Sequence, residues 1–202
     1  MLVLARHGES AWNAADRFAG WADVALTEAG REEARSTGVR LRAKGISPNV
    51  THTSLLARAR DSADLILDAC GVPDAPVLRT ARLNERHYGA LQGMPRAEAA
   101  ERYGAARVAR WRRGIDARPP VDADGRAESL SDVRERLRPY VDDELFPALD
   151  AGHTVLVVSH GNALRMLAQL LEGLSDDDAS ALVVPTGSAR VYEAGSGLRR
   201  VC

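Results

Sequence analysis

The chain has 202 residues, a formal net charge of −1 and two cysteines. The near-neutral charge excludes a general attraction to nucleic acid or to anionic membranes, and two cysteines cannot form a disulfide framework in a chain of this length. The length suits one sizeable core, so we expect a single domain over residues 1–202; without a membrane-spanning or signal stretch, we expect it to be cytoplasmic.

The chain begins with a short apolar strand that runs directly into polar residues. Leu2 to Ala5 is followed by Arg6-His7-Gly8. Open α/β sheets bind ligands at the carboxyl ends of their strands. Imidazole can act as a nucleophile, and guanidinium groups hold phosphate with two hydrogen bonds. The run therefore predicts a histidine that accepts a phosphoryl group.

The remaining elements follow from apolar periodicity and from residues that break or cap helices. Because strands alternate with helices, we expect a mostly parallel sheet covered on both faces. In the first half of the chain we predict a loop over 10–26, a helix over 28–44 capped by Thr27, a strand over 49–53, a helix capped by Ser54, and a strand at Val77 and Leu78. A loop over 84–93, helices over 97–103 and 105–113, and a flexible segment over 119–127 follow. The last part is predicted to form a long helix from Ser129 or Ser131 towards Leu149, a strand over 154–159, a helix over 162–172, and strands over 182–184 and 190–192.

A second strand-end histidine supports the first. Val155 to Ser159 is followed by His160-Gly161, and Asn162 then begins a helix, where free backbone N–H groups favour an anion. A lone histidine at a strand end more often only hydrogen-bonds the backbone, but two His-Gly pairs favour a shared site.

Two further positions carry candidate chemistry. Arg58 and Arg60 both lie at the start of a predicted helix, and spacing alone does not decide which one joins Arg6 around a phosphoryl group. A histidine nucleophile leaves an alkoxide that needs a proton, so a carboxyl group is required as general acid. Glu85 is a candidate, although charge content alone makes most glutamates surface residues.

Arg6-His7-Gly8 together with His160-Gly161 resembles the histidine phosphatase superfamily. The wider pattern resembles its cofactor-dependent phosphoglycerate mutases, through Trp12-Asn13, Arg17-Phe18, Gly20-Trp21, 83–93, Trp111-Arg112-Arg113-Gly114 and Pro185-Thr186-Gly187. The resemblance implies a three-layer αβα sandwich with a mostly parallel central sheet. It also implies interconversion of 3-phosphoglycerate and 2-phosphoglycerate through a phosphohistidine in glycolysis and gluconeogenesis, primed by 2,3-bisphosphoglycerate and without a metal.

The resemblance assigns roles residue by residue. His7 matches the phosphorylated nucleophile, His160 its positively charged partner and Glu85 the general acid/base, and Arg58 is favoured over Arg60. The positions that match phosphate and substrate contacts are Arg6, Asn13, Gly20, Arg58, Tyr88, Arg96, Arg112, Arg113, Gly161 and Asn162. The implied partner is a small anionic phosphorylated substrate, not nucleic acid or membrane, and the oligomeric state, a homo-oligomer included, stays open.

The chain departs from the family at three places, of which Ala19 and the shortened cover favour a rival function. Ala19 stands where the mutases usually carry a hydroxyl, and Arg96 stands where they carry a lysine. The segment between Pro120 and Glu128 is shorter than in typical mutases, and the chain stops soon after Tyr192; both changes predict a more open site that leaks its phosphohistidine to water. The alternatives are thus a histidine phosphatase of a small phosphomonoester and, against the retained residues, a degenerate relative that only binds ligands.

Overall fold

The computed structural model describes residues 1–194 and 198–201. One sheet of six strands forms its centre, in the order β3-β2-β4-β1-β5-β6. The strands are β1 Leu2–Arg6, β2 Val50–Thr53, β3 Val77–Arg79, β4 Val155–Ser159, β5 Ala189–Ala194 and β6 Leu198–Arg200. β1 to β4 are parallel, whereas β5 runs antiparallel to β1 and β6 antiparallel to β5.

Helices cover both faces of this sheet. They are α1 Ala11–Ala14, α2 Glu28–Ala43, α3 Ala57–Cys70, α4 Arg96–Tyr103, α5 Ala105–Arg113, α6 Leu130–Tyr140, α7 Phe146–Asp150, α8 Gly161–Glu172 and α9 Asp176–Ala181. A π-helical segment, Val141–Leu145, joins α6 to α7 without a break. Within the described ranges, no helix is both long and apolar enough to cross a bilayer.

The strand pleat divides the apolar residues between two cores. Leu2 and Leu4 of β1 pack with α6 and α8 on one face, while Val3 and Ala5 pack with α2 and α3 on the other. Successive side chains of a strand point to opposite faces, so one apolar run fills both cores. The predicted three-layer αβα sandwich is confirmed.

A third, smaller cluster lies beside the main cores. Phe18 and Leu91 pack there against Ala99 of α4 and Val108 of α5. These two short helices follow the 84–93 loop, and they place arginines from residues 96–113 over the carboxyl end of the sheet.

Several element predictions were wrong in instructive ways. The 10–26 loop contains α1, whose N-cap Ser10 forms a reciprocal capping box with Asn13. Ser54 does not cap α3, because the N-cap is Leu56 and the Ser54 hydroxyl is bonded to a histidine instead. Ser129, the first of the two alternatives, caps α6.

The predicted strand over 182–184 is also wrong. Residues 182–185 are irregular, although 190–192 do lie in β5. The carbonyl groups of Leu182 and Val184 accept hydrogen bonds from Arg165 and Arg6 rather than from a neighbouring strand. Side-chain donors thus replace the sheet ladder that an apolar run would otherwise need.

Candidate active site

The two predicted strand-end histidines meet at the carboxyl edge of the sheet. β1 and β4 are hydrogen-bonded neighbours, and Arg6 pairs with Ser159 at their ends. The rings of His7 and His160 therefore lie side by side, with centroids 4.9 Å apart. Both residues are almost fully buried.

The His7 imidazole is oriented by its own backbone neighbourhood. Its Nδ1 lies 2.6 Å from the carbonyl oxygen of Gly8, which can only accept a hydrogen bond, so Nδ1 carries the proton and Nε2 holds the lone pair. Burial, with Arg58 and Arg6, holds the pKa of His7 well below its ordinary value of 6.5. A neutral imidazole with a defined nucleophilic nitrogen results.

Gly8 is required by close packing. A Cβ atom at this position would overlap the backbone of Gly30 in α2. The Gly8 N–H also donates to the Ser62 hydroxyl of α3, at 3.0 Å. Helices α2 and α3 thereby fix the turn that carries His7 out of β1.

The surroundings of His160 bear on the positive charge that the resemblance implies for it. Its Nε2 lies 2.8 Å from the Ser54 hydroxyl, and its Nδ1 has no hydrogen-bond partner among the residues that the structure describes. Burial and the nearby Arg58, with His7 and Arg6, hold its pKa well below 6.5. The positively charged His160 implied by the resemblance stays a prediction, which burial and the two guanidinium groups of this low-dielectric site disfavour in the protein alone.

Arg58, not Arg60, enters the site. Arg58 is 1% exposed and donates to the carbonyl oxygens of Gly20 and Ala22, each at 2.8 Å. Burial lowers its pKa to about 10, which leaves it charged at neutral pH. Arg60 points away and approaches Asp23 at 4.0 Å. We call Arg6, His7, Arg58 and His160 the inner pocket.

The Glu85 carboxylate faces the inner pocket from the 84–93 loop. Its Oε1 accepts from the backbone N–H groups of Arg86, at 2.8 Å, and Asn162, at 3.2 Å. The Asn162 amide in turn donates to the Tyr88 hydroxyl at 3.1 Å. Burial alone would raise the pKa of Tyr88, but the Arg86 guanidinium, stacked 4.4 Å from its ring centre, lowers it.

The loop before α2 supplies the opposite wall. Gly20 has φ +53°, and a side chain there would collide with Gln92, whose amide oxygen accepts from the Trp21 N–H at 2.5 Å. Ala19 lines the cavity and offers no hydroxyl. Glycine is the residue that tolerates this left-handed conformation and close approach.

Arginines surround the mouth of the cavity. Arg96 forms an ion pair with Asp16 at 2.6 Å, Arg17 donates to the Gly93 carbonyl, and Arg113 donates to the Ser180 carbonyl. Burial and Arg96 lower the pKa of Arg112. We call Arg17, Ala19, Arg96, Arg112 and Arg113 the outer rim.

The cavity collects twelve of the thirteen predicted site residues, and His160 lies directly behind His7 as the thirteenth. Arg165 also lines the cavity and was not predicted from the sequence; it is buried and donates to the Asn162 side chain at 2.8 Å and to the Leu182 carbonyl at 3.0 Å. An arginine three residues after Asn162, on a helix whose neighbouring positions are apolar, was the available signal.

The segment over 119–128 lies outside the cavity. None of these described residues lines it. Pro120 instead accepts a hydrogen bond from the Ala90 N–H at 2.9 Å, and Asp122 approaches the His87 ring at 3.6 Å. This segment therefore supports the 84–93 loop from behind and does not itself cover the cavity.

Comparisons with known proteins agree with this architecture. Residues 2–201 match the family model for the histidine phosphatase superfamily, branch 1. Two relatives named 2,3-bisphosphoglycerate-dependent phosphoglycerate mutase are from Nocardioides sp. (45% identical, covering 98% of this chain and 88% of the relative) and Corynebacterium kroppenstedtii (44%, covering 95% and 85%).

A solved mycobacterial glucosyl-3-phosphoglycerate phosphatase superposes with a TM-score of 0.81 at 27% identity, over 99% of this chain and 95% of that one. Similarity to the solved phosphatase establishes the shared fold, while the sequence relatives are closer in identity. The chain belongs to the histidine phosphatase superfamily and, within it, to the family of the 2,3-bisphosphoglycerate-dependent phosphoglycerate mutases.

Proposed function

We propose that the protein interconverts 3-phosphoglycerate and 2-phosphoglycerate through a phosphohistidine on His7. The observation that carries the proposal is the inner pocket itself: a neutral imidazole with Nε2 available, between two buried guanidinium groups. The names of the sequence relatives support the substrate class.

In the proposed first step, His7 Nε2 attacks phosphorus and the bond from phosphorus to the leaving alkoxide oxygen breaks. Arg6 and Arg58 bind the equatorial oxygens and offset the charge of the transition state. Glu85 in its protonated form gives its proton to the alkoxide. In the return step Glu85 removes the proton of the acceptor hydroxyl as the N–P bond breaks.

We infer that His160 assists once a phosphoryl group is present. A dianionic group beside the ring favours the imidazolium form and so raises the His160 pKa, which burial and the two arginines lower. The Nδ1 of His160, which has no hydrogen-bond partner among the described residues, is the candidate donor to a phosphoryl oxygen. The charge of His160 would then depend on whether His7 is phosphorylated.

The cavity fits a ligand with several negative groups. Seven arginines and one carboxylate line it. 2,3-Bisphosphoglycerate would supply the phosphoryl group that first loads His7, and the outer rim would bind the substrate carboxylate and its second phosphate. Bidentate guanidinium contacts suit both groups.

A second candidate is hydrolysis of a phosphomonoester by the same residues. Ala19, and a 119–128 segment that does not line the cavity, favour it, since both leave water freer to compete with the sugar-acid hydroxyl for phospho-His7. The similarity of fold to a solved phosphatase points the same way.

Phosphorus NMR of 3-phosphoglycerate with the protein, with and without 2,3-bisphosphoglycerate, separates the two. Primer-dependent appearance of 2-phosphoglycerate is the expected result. Free phosphate as the dominant, primer-independent product would reject the mutase in favour of the phosphatase.

A further inference from the structure

Arg136 of α6 makes six hydrogen bonds although it does not line the cavity. Its Nη1 donates to the carbonyl oxygens of Ala81 at 3.2 Å, Arg82 at 2.6 Å and Asn84 at 3.2 Å, and its Nη2 donates to that of Glu85 at 3.3 Å. One guanidinium thus binds the backbone along the whole approach to Glu85.

Glu128 holds this guanidinium from the other side. The two side chains form a bidentate pair, with Nε to Oε1 at 2.8 Å and Nη2 to Oε2 at 3.0 Å, and both are mostly buried. Glu128 Oε2 also accepts the backbone N–H of His87 at 2.8 Å. The planar fork fixes orientation as well as distance. Arg136 and Glu128 together therefore hydrogen-bond the backbone both before and after Glu85.

The loop that carries Glu85 has no regular structure of its own between Asn84 and Tyr88. Besides Arg136, the Glu85 carbonyl accepts only the Trp21 indole N–H, at 2.5 Å, among the described residues. Proton transfer needs the carboxyl group within hydrogen-bond reach of the reacting oxygen. The placement of that group consequently depends on what restrains this backbone.

We propose that Arg136, held by Glu128, is a positioning residue that sets where the Glu85 carboxyl group meets the leaving oxygen. This role rests on the general-acid assignment of Glu85 in the proposed function. It concerns the proton-transfer step and not the binding of the phosphoryl group, because neither Arg136 nor Glu128 lines the cavity.

The test compares two phosphoryl donors in single-turnover phosphorylation of His7. With 2,3-bisphosphoglycerate the leaving group is an alkoxide that needs a proton, whereas p-nitrophenolate leaves p-nitrophenyl phosphate without one. For Arg136→Lys and Glu128→Gln we expect phosphorylation from 2,3-bisphosphoglycerate to slow by about 10²-fold, the effect of a small misplacement, with the rate from p-nitrophenyl phosphate kept. Glu85→Gln should show the same selectivity, more strongly.

Arg138→Ala is the matched control. Arg138 lies on the same helix, has a half-exposed side chain and pairs only with Glu135 among the described residues, so its loss should leave both rates unchanged. Equal slowing from both donors in the Arg136 and Glu128 variants would assign the pair to folding alone and overturn the inference, as would wild-type rates from both. If Arg136→Lys fails to fold, Glu128→Gln decides by the same criteria.

The Glu85→Gln result distinguishes a failure of the general-acid assignment from a failure of the positioning role. If that variant lacks the donor selectivity, the general-acid assignment fails and the proposed mechanism fails with it. If Glu85→Gln is selective and the Arg136 and Glu128 variants are not, only the positioning role is rejected.

Discussion

The inner pocket and the outer rim are built in different ways. His7 and His160 stand directly after two adjacent parallel strands and are almost completely buried, whereas the rim residues Arg96 and Arg112 lie on short helices and are partly exposed. Strand pairing fixes the inner groups through many backbone hydrogen bonds. From this difference we predict that residues at the strand ends determine the chemical step and that the loops and short helices determine which acceptor is used.

The largest expected effect tests whether the inner pocket holds the only phosphoryl acceptor of this reaction. His7→Ala removes the proposed nucleophile, and we expect turnover to fall by at least about 10⁴-fold, as for other enzymes that lose a nucleophile. Mass spectrometry of the intact protein, quenched at alkaline pH, checks for the phosphoryl adduct. An adduct that persists in the variant would place the nucleophile elsewhere.

A matched pair of arginines tests the border between the two regions. Arg58→Gln removes a buried charge from the phosphoryl site, so we expect kcat/KM to drop by about 10³-fold. Arg60→Gln, two residues later on the same helix, removes only a distant contact to Asp23 and should leave kcat/KM nearly unchanged. Similar losses in both variants would contradict the assignment of Arg58.

The burial of the two histidines predicts a pH dependence of stability. Their folded-state pKa values lie well below 6.5, so the unfolded chain binds protons that the folded protein does not. The contribution of the two histidines to the free energy of unfolding is therefore greatest above pH 6.5. It declines as the pH falls below that value, by up to about 1.4 kcal/mol per pH unit for each histidine. Urea unfolding between pH 7.5 and 5.5 measures this slope, and His160→Asn should make it shallower; an unchanged slope would speak against a neutral buried His160.

The smallest expected effect belongs to the outer rim. Ala19→Ser restores a hydroxyl to the cavity wall, and one hydrogen bond of about 0.5–1.5 kcal/mol raises the ratio of mutase to phosphatase turnover by up to about tenfold. The phosphorus NMR assay gives both products in one experiment. The rate of His7 phosphorylation should not change, and a change there would show that the two regions are not separable.

The sequence could predict the two histidines of the inner pocket because each of them has a local signal. Apolar runs end in His7 and His160, and parallel strand ends meet at one edge whatever the details of the packing. The choice of Arg58 over Arg60 came from the family resemblance alone, because helical spacing does not reveal which side chain turns under the 19–22 loop.

The features that escaped prediction depend on contacts between distant segments. The run over 182–184 has the composition of a strand, yet side chains from β1 and α8 satisfy its carbonyl groups. Arg136 resembled any arginine on a charged helix face, since its carbonyl partners lie more than fifty residues away in the chain. Hydrogen bonds of this kind, from a side chain to a distant backbone, produce no periodic pattern in the sequence.

The central place of β1, between β4 and β5, has a consequence for synthesis of the protein. Arg6 donates to the Val184 carbonyl, and His7 accepts from the Gly187 N–H, across about 180 residues of chain. A chain under synthesis therefore contains β1 long before it contains the segments that these two hydrogen bonds and the pairing with β5 require. We expect the carboxyl end of β1 to reach its final contacts only after residue 187 has been made.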